Sequence, residues 1–145
     1  MRPRDLKYSE THEWVKLVGK DVVVGITDYA VKQLSDLVHI ELPKVGEKIE
    51  QGSSFGEIES VKTVAELIAP IGGKVIEVNK SVVDNIEILS DEPFEEGWLM
   101  KVKVGDMSEL DTLMSSSEYA DFIKLEKEDG EDGSSDDDVD EDDFV

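Results

Sequence analysis

The amino-acid sequence predicts a mainly β fold, a β-sandwich or flattened barrel, with one short internal helix and helices at the C-terminal end. Two observations predict it. Short segments in which apolar and polar residues alternate recur over residues 14–104, and turn signals separate them about every eight to twelve residues. Beyond residue 104, helical spacing preceded by capping residues replaces this alternation.

The first elements are a β-hairpin and a helix. The segments WVKLV (14–18) and DVVVGI (21–26) are typical of strands, and the Gly-Lys pair between them is typical of a turn. A helix of two to three turns is predicted to begin at Thr27. Its apolar residues follow at helical spacing: Ala30, Val31, Leu34 and Leu37.

Strands return after this helix. The alternating segments are VHIEL (38–42), KIE (48–50), SFGEIE (54–59), VAELIA (64–69), KVIEV (74–78) and WLMKVKV (98–104). Residues 42–49 and 69–76 echo one another around a Pro-x-x-Gly turn, and the break SVKT (60–63) falls about midway between them. The echo suggests two related halves joined at a hairpin whose tip carries Lys62.

The C-terminal part predicts two helices followed by an acidic tail. SELDTLM (108–114) and SEYADFIKL (117–125) each begin at a capping serine, and the second presents a small apolar face expected to pack on the sandwich. Residues 129–145 hold ten Asp and Glu and no Lys or Arg, so they are predicted to be disordered. We therefore expect one domain over residues 1–128 and an acidic disordered tail over residues 129–145.

Composition excludes several classes of function. The net charge of −21 and the absence of a basic patch argue against nucleic-acid binding. Without cysteine there are no disulfides, thiolate nucleophiles or cysteine-ligated metal sites, so redox chemistry requires a bound cofactor. No apolar stretch approaches about 18 residues, and no signal peptide is visible. These features lead us to expect a monomer without a membrane segment, located in the cytoplasm or, after removal of a presequence, in the mitochondrial matrix.

Common catalytic and metal-binding motifs are also absent. The segment HEWV lacks the second histidine of His-Glu-x-x-His, and there is no Gly-x-Ser-x-Gly and no phosphate-binding loop. Asp136, Asp138 and Asp140 have the spacing of the first calcium-loop ligands, but the glycine and the final glutamate are missing, which favours a solvated acidic run over cation binding. Structural roles are favoured for His12 and His39.

Lys62 lies in a break between two strands that contains neither glycine nor proline. Glu57, Glu59 and Glu66 are close in sequence and favour its ammonium form, which argues against Schiff-base or general-base chemistry. An exposed turn is, however, accessible to a separate modifying enzyme. The local chemistry therefore leaves two alternatives open, an attachment point or an ordinary solvated residue.

Five segments in order resemble the H-protein family of the glycine cleavage system, over about residues 6–125. They are KYSETHEWV, VGITDYAVKQLSDLVHIELPKVGEKI, EIESVKTVAEL, APIGGKVIEVNKSVVDNIEILSDEPFEEGWLMKVKV and SELDTLMSSSEYADFI. The resemblance implies a lipoyl-domain-like flattened β-barrel sandwich of two antiparallel sheets. It also implies a carrier that is not itself an enzyme.

In that family, lipoate is joined through an amide to the lysine that matches Lys62, and its dithiolane supplies the sulfurs that this chain lacks. The neighbouring hairpin residues are Glu59, Ser60, Val61 and Thr63. The resemblance implies four partners. A lipoate ligase or lipoyltransferase attaches the group, and the pyridoxal-phosphate glycine decarboxylase (P-protein) loads it with an aminomethyl group. The tetrahydrofolate-dependent aminomethyltransferase (T-protein) unloads it, and dihydrolipoamide dehydrogenase (L-protein) reoxidises the dithiol.

The family also shelters the loaded arm against its own surface. The residues that match this shelter are Thr11, Glu13, Gln33 and Glu66. A carboxylate there would pair with the cationic aminomethyl nitrogen. Two positions depart from the family pattern, because Glu66 stands where aspartate is usual and Gln33 where some members carry histidine. The acidic tail is not part of the pattern.

Three alternatives remain at this stage. An H-like lipoate carrier would serve lipoyl relay or sulfur metabolism instead of glycine cleavage. A biotin carrier shares a related sandwich but requires Met-Lys-Met, where this chain has Val61-Lys62-Thr63. An unmodified binding module would leave Lys62 as a surface residue only.

Overall fold

Two antiparallel sheets form the protein in the computed structural model, which describes residues 3–130 and, in its last helix, the side chains up to residue 125. The strands are β1 Lys7–Tyr8, β2 Glu13–Val18, β3 Asp21–Ile26, β4 Leu37–Glu41, β5 Lys48–Ile49, β6 Ser54–Ser60, β7 Val64–Ile68, β8 Gly73–Val78 and β9 Met100–Val104. The helices are α1 Asp28–Leu34, α2 Lys80–Asp84, α3 Glu87–Asp91, the 3₁₀ helix Met107–Thr112 and α4 Ser116–Gly130.

The larger sheet has six strands in the order β1-β2-β3-β9-β8-β5, and the smaller has three in the order β4-β6-β7. Alternate residues point inward where the strand period is regular. In β6, for example, Ile58 and Ser60 are buried while Glu57 and Glu59 are exposed, and the irregularity between Ser54 and Gly56 puts Phe55 out of this phase. The mainly β sandwich of two antiparallel sheets predicted from the sequence is therefore confirmed.

The β2–β3 hairpin shows how the sheet accommodates its largest side chain. Trp14 lies opposite Gly25 in the register of the two strands. A Cβ atom on Gly25 would lie 2.4 Å from the Trp14 ring, so only glycine leaves room for it. The indole N–H donates to the carbonyl of Pro93 at 2.9 Å, which ties this hairpin to the segment that follows α3.

Helix α1 is shorter than its apolar spacing predicts. It ends at Leu34, and Leu37, expected on the helix, is instead the first residue of β4. The reason is Ser35, which has φ 70° and ψ −120° and so turns the chain out of the helix, while its N–H still bonds to Val31. A non-glycine residue with such a φ is not readable from spacing alone.

Two short helices between β8 and β9, α2 and α3, were not among the predicted elements. Their signals are present in the sequence, because Asn79 caps α2 through its side chain. Apolar residues also recur at helical spacing in Val82, Ile86 and Leu89, of which Val82 and Leu89 are buried and Ile86 is partly buried. The first of the two predicted C-terminal helices is a 3₁₀ helix.

Helix α4 packs through Tyr119 and Ile123 against Leu6, Tyr8 and Trp14, in a second cluster separate from the sandwich core. It continues to Gly130, two residues past the predicted domain boundary. The remaining residues of the predicted tail, 131–145, lie outside the described residues, so their disorder stays a prediction. Within the described part of the chain, no helix combines the length and apolarity needed to cross a membrane.

Candidate functional site

The β6–β7 hairpin presents Lys62 at its tip. Glu59 and Val64 form the last strand pair, and the backbone N–H of Ser60 donates to the carbonyl of Thr63 at 2.8 Å to close the turn. Neither central residue of the turn has a positive φ, so the turn forms without glycine. The side chain of Lys62 is exposed.

Ser60 holds this turn from the inside. Its side chain is buried, and its Oγ accepts the backbone N–H groups of Lys62 at 3.3 Å and Thr63 at 3.1 Å. The N–H of Val61 donates to the carbonyl of Asp36 in the α1–β4 connection at 2.9 Å. Since every backbone N–H from Ser60 to Thr63 has an acceptor, the exposed lysine stands on a fixed support.

The glutamates near Lys62 in sequence lie on the outer face of the small sheet. Glu57 is directly opposite Glu66 on one side and Glu41 on the other, so three exposed carboxylates lie side by side. No ion pair joins Lys62 to any of the described side chains. The lysine is therefore accessible to a modifying enzyme in an acidic neighbourhood, and no fixed counter-ion holds its amine.

A cavity of about 160 Å³ lies beside this hairpin. The four residues that the resemblance assigned to a shelter, Thr11, Glu13, Gln33 and Glu66, all line it. The remaining lining residues are mostly apolar: His12, Ile26, Ala30, Leu34, Ile58, Ala65 and Leu67. One wall is the β1–β2 connection with the start of β2, a second is α1, and a third is β7, the strand that leads away from Lys62. We call this cavity the cleft.

Glu13 is the buried polar group of the cleft, with a relative exposure of 2%. Its Oε1 accepts hydrogen bonds from the hydroxyls of Ser9, at 2.7 Å, and Thr11. Its Oε2 accepts the backbone N–H of Ile68 at 3.1 Å. Among the described residues no cation pairs with this carboxyl.

Burial raises the pKa of Glu13 from 4.5 to about 7, and the hydrogen bonds from Thr11, Ser9 and Ile68 oppose part of that rise. Desolvation dominates because three neutral donors replace only part of the hydration that a carboxylate loses. Gln33 and Glu66, the two other polar lining residues from the prediction, are both exposed, and we call the side of the cleft that they line its mouth. A cation would stabilise the ionised carboxylate of Glu13 further, and it would enter through the mouth of the cleft.

This arrangement suits a flexible chain that ends in an amine. The apolar walls would bury a hydrocarbon stem, and Glu13 would accept the hydrogen bonds of an ammonium group. Residues 65–67 of the β7 wall are three to five positions beyond Lys62, roughly 10 to 17 Å along an extended strand. A long side chain attached at Lys62 can therefore lie along the cleft. No cluster of metal-ligating side chains is present in the described part of the chain.

Sequence reasoning missed the residues that support Glu13. Ser9 both donates to the carboxyl and accepts the backbone N–H of Glu13 at 3.0 Å. The signal was available, since Ser9, Thr11 and Glu13 are spaced two residues apart. The backbone N–H of Ile68 had no such signal, because strand pairing between distant segments decides its place. His12, expected to be structural, also lines the cleft.

Comparison with known proteins gives a consistent result. The family model described as Glycine cleavage H-protein matches residues 6–126. A glycine cleavage system H protein of Halalkalibacterium halodurans is 49% identical over 124 residues, covering 86% of this chain and 97% of that protein. One of Carboxydothermus hydrogenoformans is 47% identical over 129 residues, covering 89% and 97%.

A solved structure agrees with these relatives. The crystal structure of a glycine cleavage system H protein from Mycobacterium marinum superposes with a TM-score of 0.76 at 41% sequence identity, covering 86% of this chain and all of that one. The match of the family model extends over most of the domain, including the hairpin and every residue that lines the cleft. The chain belongs to the glycine cleavage H-protein family.

Proposed function

We propose that this chain carries lipoate on Lys62 and acts as the aminomethyl carrier of the glycine cleavage system, without catalysing a reaction itself. The observation that carries the proposal is the pairing of two features on one hairpin. Lys62 is exposed on a braced turn, and β7 leads from it along a cleft that ends at a buried carboxyl.

The residues present fit a lipoyl group. The Lys62 amine has no fixed partner among the described side chains, so acylation breaks no ion pair of the fold. The apolar lining from Ala30, Leu34 and Ala65 suits a hydrocarbon stem. When bound, lipoate supplies a dithiolane whose sulfurs can carry the aminomethyl group and undergo redox change in a chain that has no cysteine.

The residues of the chain itself bind the carried aminomethyl group and protect it from water. Glu13 accepts the hydrogen bonds of the carried ammonium group, and the hydroxyls of Ser9 and Thr11 fix the orientation of its carboxyl. The apolar walls keep water from the carried group. Glu66 and Gln33 at the mouth are proposed to contact the arm from outside.

The proposed partners follow from this role. Glycine decarboxylase, the aminomethyltransferase and dihydrolipoamide dehydrogenase each receive the arm in turn, and a lipoate ligase or lipoyltransferase modifies Lys62. Tethering maintains a high local concentration of the carried group at each partner. The alternative of a lipoate carrier for relay or sulfur metabolism uses the same lysine and cleft. The two functions are distinguished by whether glycine decarboxylase loads the lipoylated chain with the aminomethyl group of glycine. A cytoplasmic or mitochondrial location and a monomeric state remain predictions.

Intact-mass measurement after incubation with a lipoate ligase, ATP and lipoate tests the attachment. We expect a gain of one lipoyl group that disappears in Lys62→Ala. Lys20→Ala is a matched control, because Lys20 is also an exposed lysine in a two-residue hairpin turn, and it should keep the full gain. A gain that survives Lys62→Ala, or no gain when a control lipoyl domain is modified, would contradict the proposal.

A further inference from the structure

Three elements meet at the hydroxyl of Tyr119. This tyrosine belongs to α4, and its OH lies 2.8 Å from Nδ1 of His12 and 2.7 Å from Oγ1 of Thr27. Tyr119 and Thr27 are completely buried. A single hydroxyl on the C-terminal helix thus joins the β1–β2 connection to the start of α1.

His12 is the cleft residue on one side of this junction. It directly precedes Glu13 and lines the cleft. Its φ of 75° places it in the left-handed region, which a non-glycine residue occupies only where its surroundings hold it. Its N–H donates to the carbonyl of Ser9 at 3.1 Å, and its carbonyl accepts the N–H of Thr27 at 3.0 Å. The conformation of His12 therefore sets the direction from which Glu13 enters the cleft.

Thr27 is the junction's link to the opposite wall. Its Oγ1 caps α1 by accepting the N–H of Ala30 at 3.2 Å. Helix α1 then contributes Ala30, Gln33 and Leu34 to the cleft. The Tyr119 hydroxyl thus bonds to the wall that carries Glu13 and to the wall that faces it.

We propose that Tyr119 is a positioning residue for the cleft, whose hydroxyl holds the Glu13 wall and the α1 wall at a fixed separation. The inference rests on the proposed function only for the claim that the cleft shelters the loaded lipoyl arm. The junction itself requires no lipoate. The role of the hydroxyl can be tested apart from the packing of the ring. The Tyr119 ring stacks on Tyr8 with centroids 4.8 Å apart and an interplanar angle of 9°. Removal of the oxygen leaves that stack in place.

A comparison of Tyr119→Phe with Tyr8→Phe tests the role of the Tyr119 hydroxyl, because each variant removes one hydroxyl from the same ring stack. Tyr8 belongs to the same stack, but its OH donates to the carbonyl of Pro3 at 2.6 Å. In unlipoylated protein with ¹³C-labelled glutamate, the titration of the Glu13 carboxyl carbon is recorded, with Glu13→Gln assigning the signal. His12 and Glu66 line the same cleft, so their titrations are followed in parallel.

We expect Tyr119→Phe to lower the pKa of Glu13 from about 7 toward its ordinary value, because looser walls admit water, while Tyr8→Phe leaves it unchanged. Thr27→Ala, compared with Thr27→Ser, breaks the junction from the α1 side and should give the same fall. Equal Glu13 titrations in Tyr119→Phe and Tyr8→Phe, with both variants folded, would overturn the proposal.

A second readout separates this inference from the function on which it rests. In lipoylated protein loaded with the aminomethyl group, Tyr119→Phe should shorten the lifetime of that group by about threefold to tenfold, because both hydrogen bonds of the buried hydroxyl are lost. If Tyr119→Phe shifts the Glu13 titration but neither it nor Glu13→Gln changes the lifetime, the positioning role stands and the shelter role of the cleft fails. If the Glu13 titration is unchanged in Tyr119→Phe but the lifetime is shortened in Glu13→Gln, the shelter role of the cleft stands and the positioning role of Tyr119 fails.

Discussion

Lys62 and Glu13 are linked by one strand, β7, but lie in opposite surroundings. Lys62 is exposed at a hairpin tip, and no ion pair with a described side chain fixes its amine. Glu13 is 2% exposed at the inner end of the cleft, and its carboxyl accepts three hydrogen bonds from neutral donors. Strand β7 connects the two, because it starts two residues after Lys62 and its Ile68 N–H bonds to Glu13.

Neither residue is explained by the stability of the fold, but the two differ in what their charges cost. An exposed lysine can lose its charge with little effect on stability. A buried carboxyl without a cation is costly to ionise, so the fold would be more stable without it at neutral pH. A costly group at the end of a cleft indicates a binding role, since stability alone does not favour its presence.

The largest expected effect is on the pH dependence of stability. The pKa of Glu13 is about 7 in the folded chain against 4.5 as its ordinary value, so the folded state holds the proton more tightly. The stabilisation by Glu13 is therefore complete below its ordinary pKa and is lost as the pH rises through 7. Relative to Glu13→Gln, the wild type should lose on the order of 2–3 kcal/mol of unfolding free energy between pH 5 and pH 8.

Urea unfolding of both proteins at a series of pH values measures this difference. A glutamine can present its carbonyl to the Ile68 N–H and its amide group to the hydroxyls of Ser9 and Thr11, so the variant should remain folded. Glu66→Gln is the control, because Glu66 lines the same cleft but is exposed, and its pH profile should follow that of the wild type. Parallel curves for wild type and Glu13→Gln would show that Glu13 ionises normally.

A smaller effect is expected at the support of the hairpin tip. Ser60→Ala leaves the N–H groups of Lys62 and Thr63 without their side-chain acceptor, at a site where the serine is buried. The loss should be about 1–2 kcal/mol of unfolding free energy. Hydrogen exchange should also quicken at the Lys62 and Thr63 amides. Ser54→Ala, at the exposed start of the same strand, provides the control, and an equal loss there would remove the special role of Ser60.

The smallest effect belongs to the lysine itself. Lys62→Ala should change the unfolding free energy by no more than about 0.5 kcal/mol, because the side chain is exposed and makes no ion pair with the described residues. Thermal unfolding of the unlipoylated proteins measures it. A clear destabilisation would mean that Lys62 is part of the fold, and the contrast with Glu13 would disappear.

Local patterns predicted most of this architecture. Alternation identified the long strands, and the break at SVKT identified the turn that carries Lys62. The errors have local causes, since the end of α1 depends on the unusual φ of Ser35 and the spacing of Leu37 continues that of the helix by coincidence. The 3₁₀ geometry at Met107–Thr112 also differs from an α-helix by too little to be read from capping residues.

The site was predictable only in part. Lys62, Thr11 and Glu13 follow from the resemblance, and the resemblance also brought in Gln33 and Glu66. The burial of Glu13 was not predictable, because it depends on the position of Ile68 and on the α1 residues that line the same cleft, both distant from Glu13 in sequence. The junction at Tyr119 joins residues 107 positions apart in the chain, so no local pattern reveals it.

The lifetime of the carried group tests the central claim most directly. Glycine decarboxylase loads the lipoylated protein with the aminomethyl group of glycine and releases the carboxyl group as CO₂. The loaded protein is purified, and the formaldehyde and ammonia released by hydrolysis of the S–CH₂–NH₃⁺ group are followed with time at pH 7.5. Loss of a charge-assisted hydrogen bond predicts a release about ten- to a hundredfold faster in Glu13→Gln than in wild type, and close to the wild-type rate in the control Glu41→Gln on the outer face of the small sheet. Equal release rates in wild type and Glu13→Gln would contradict the account.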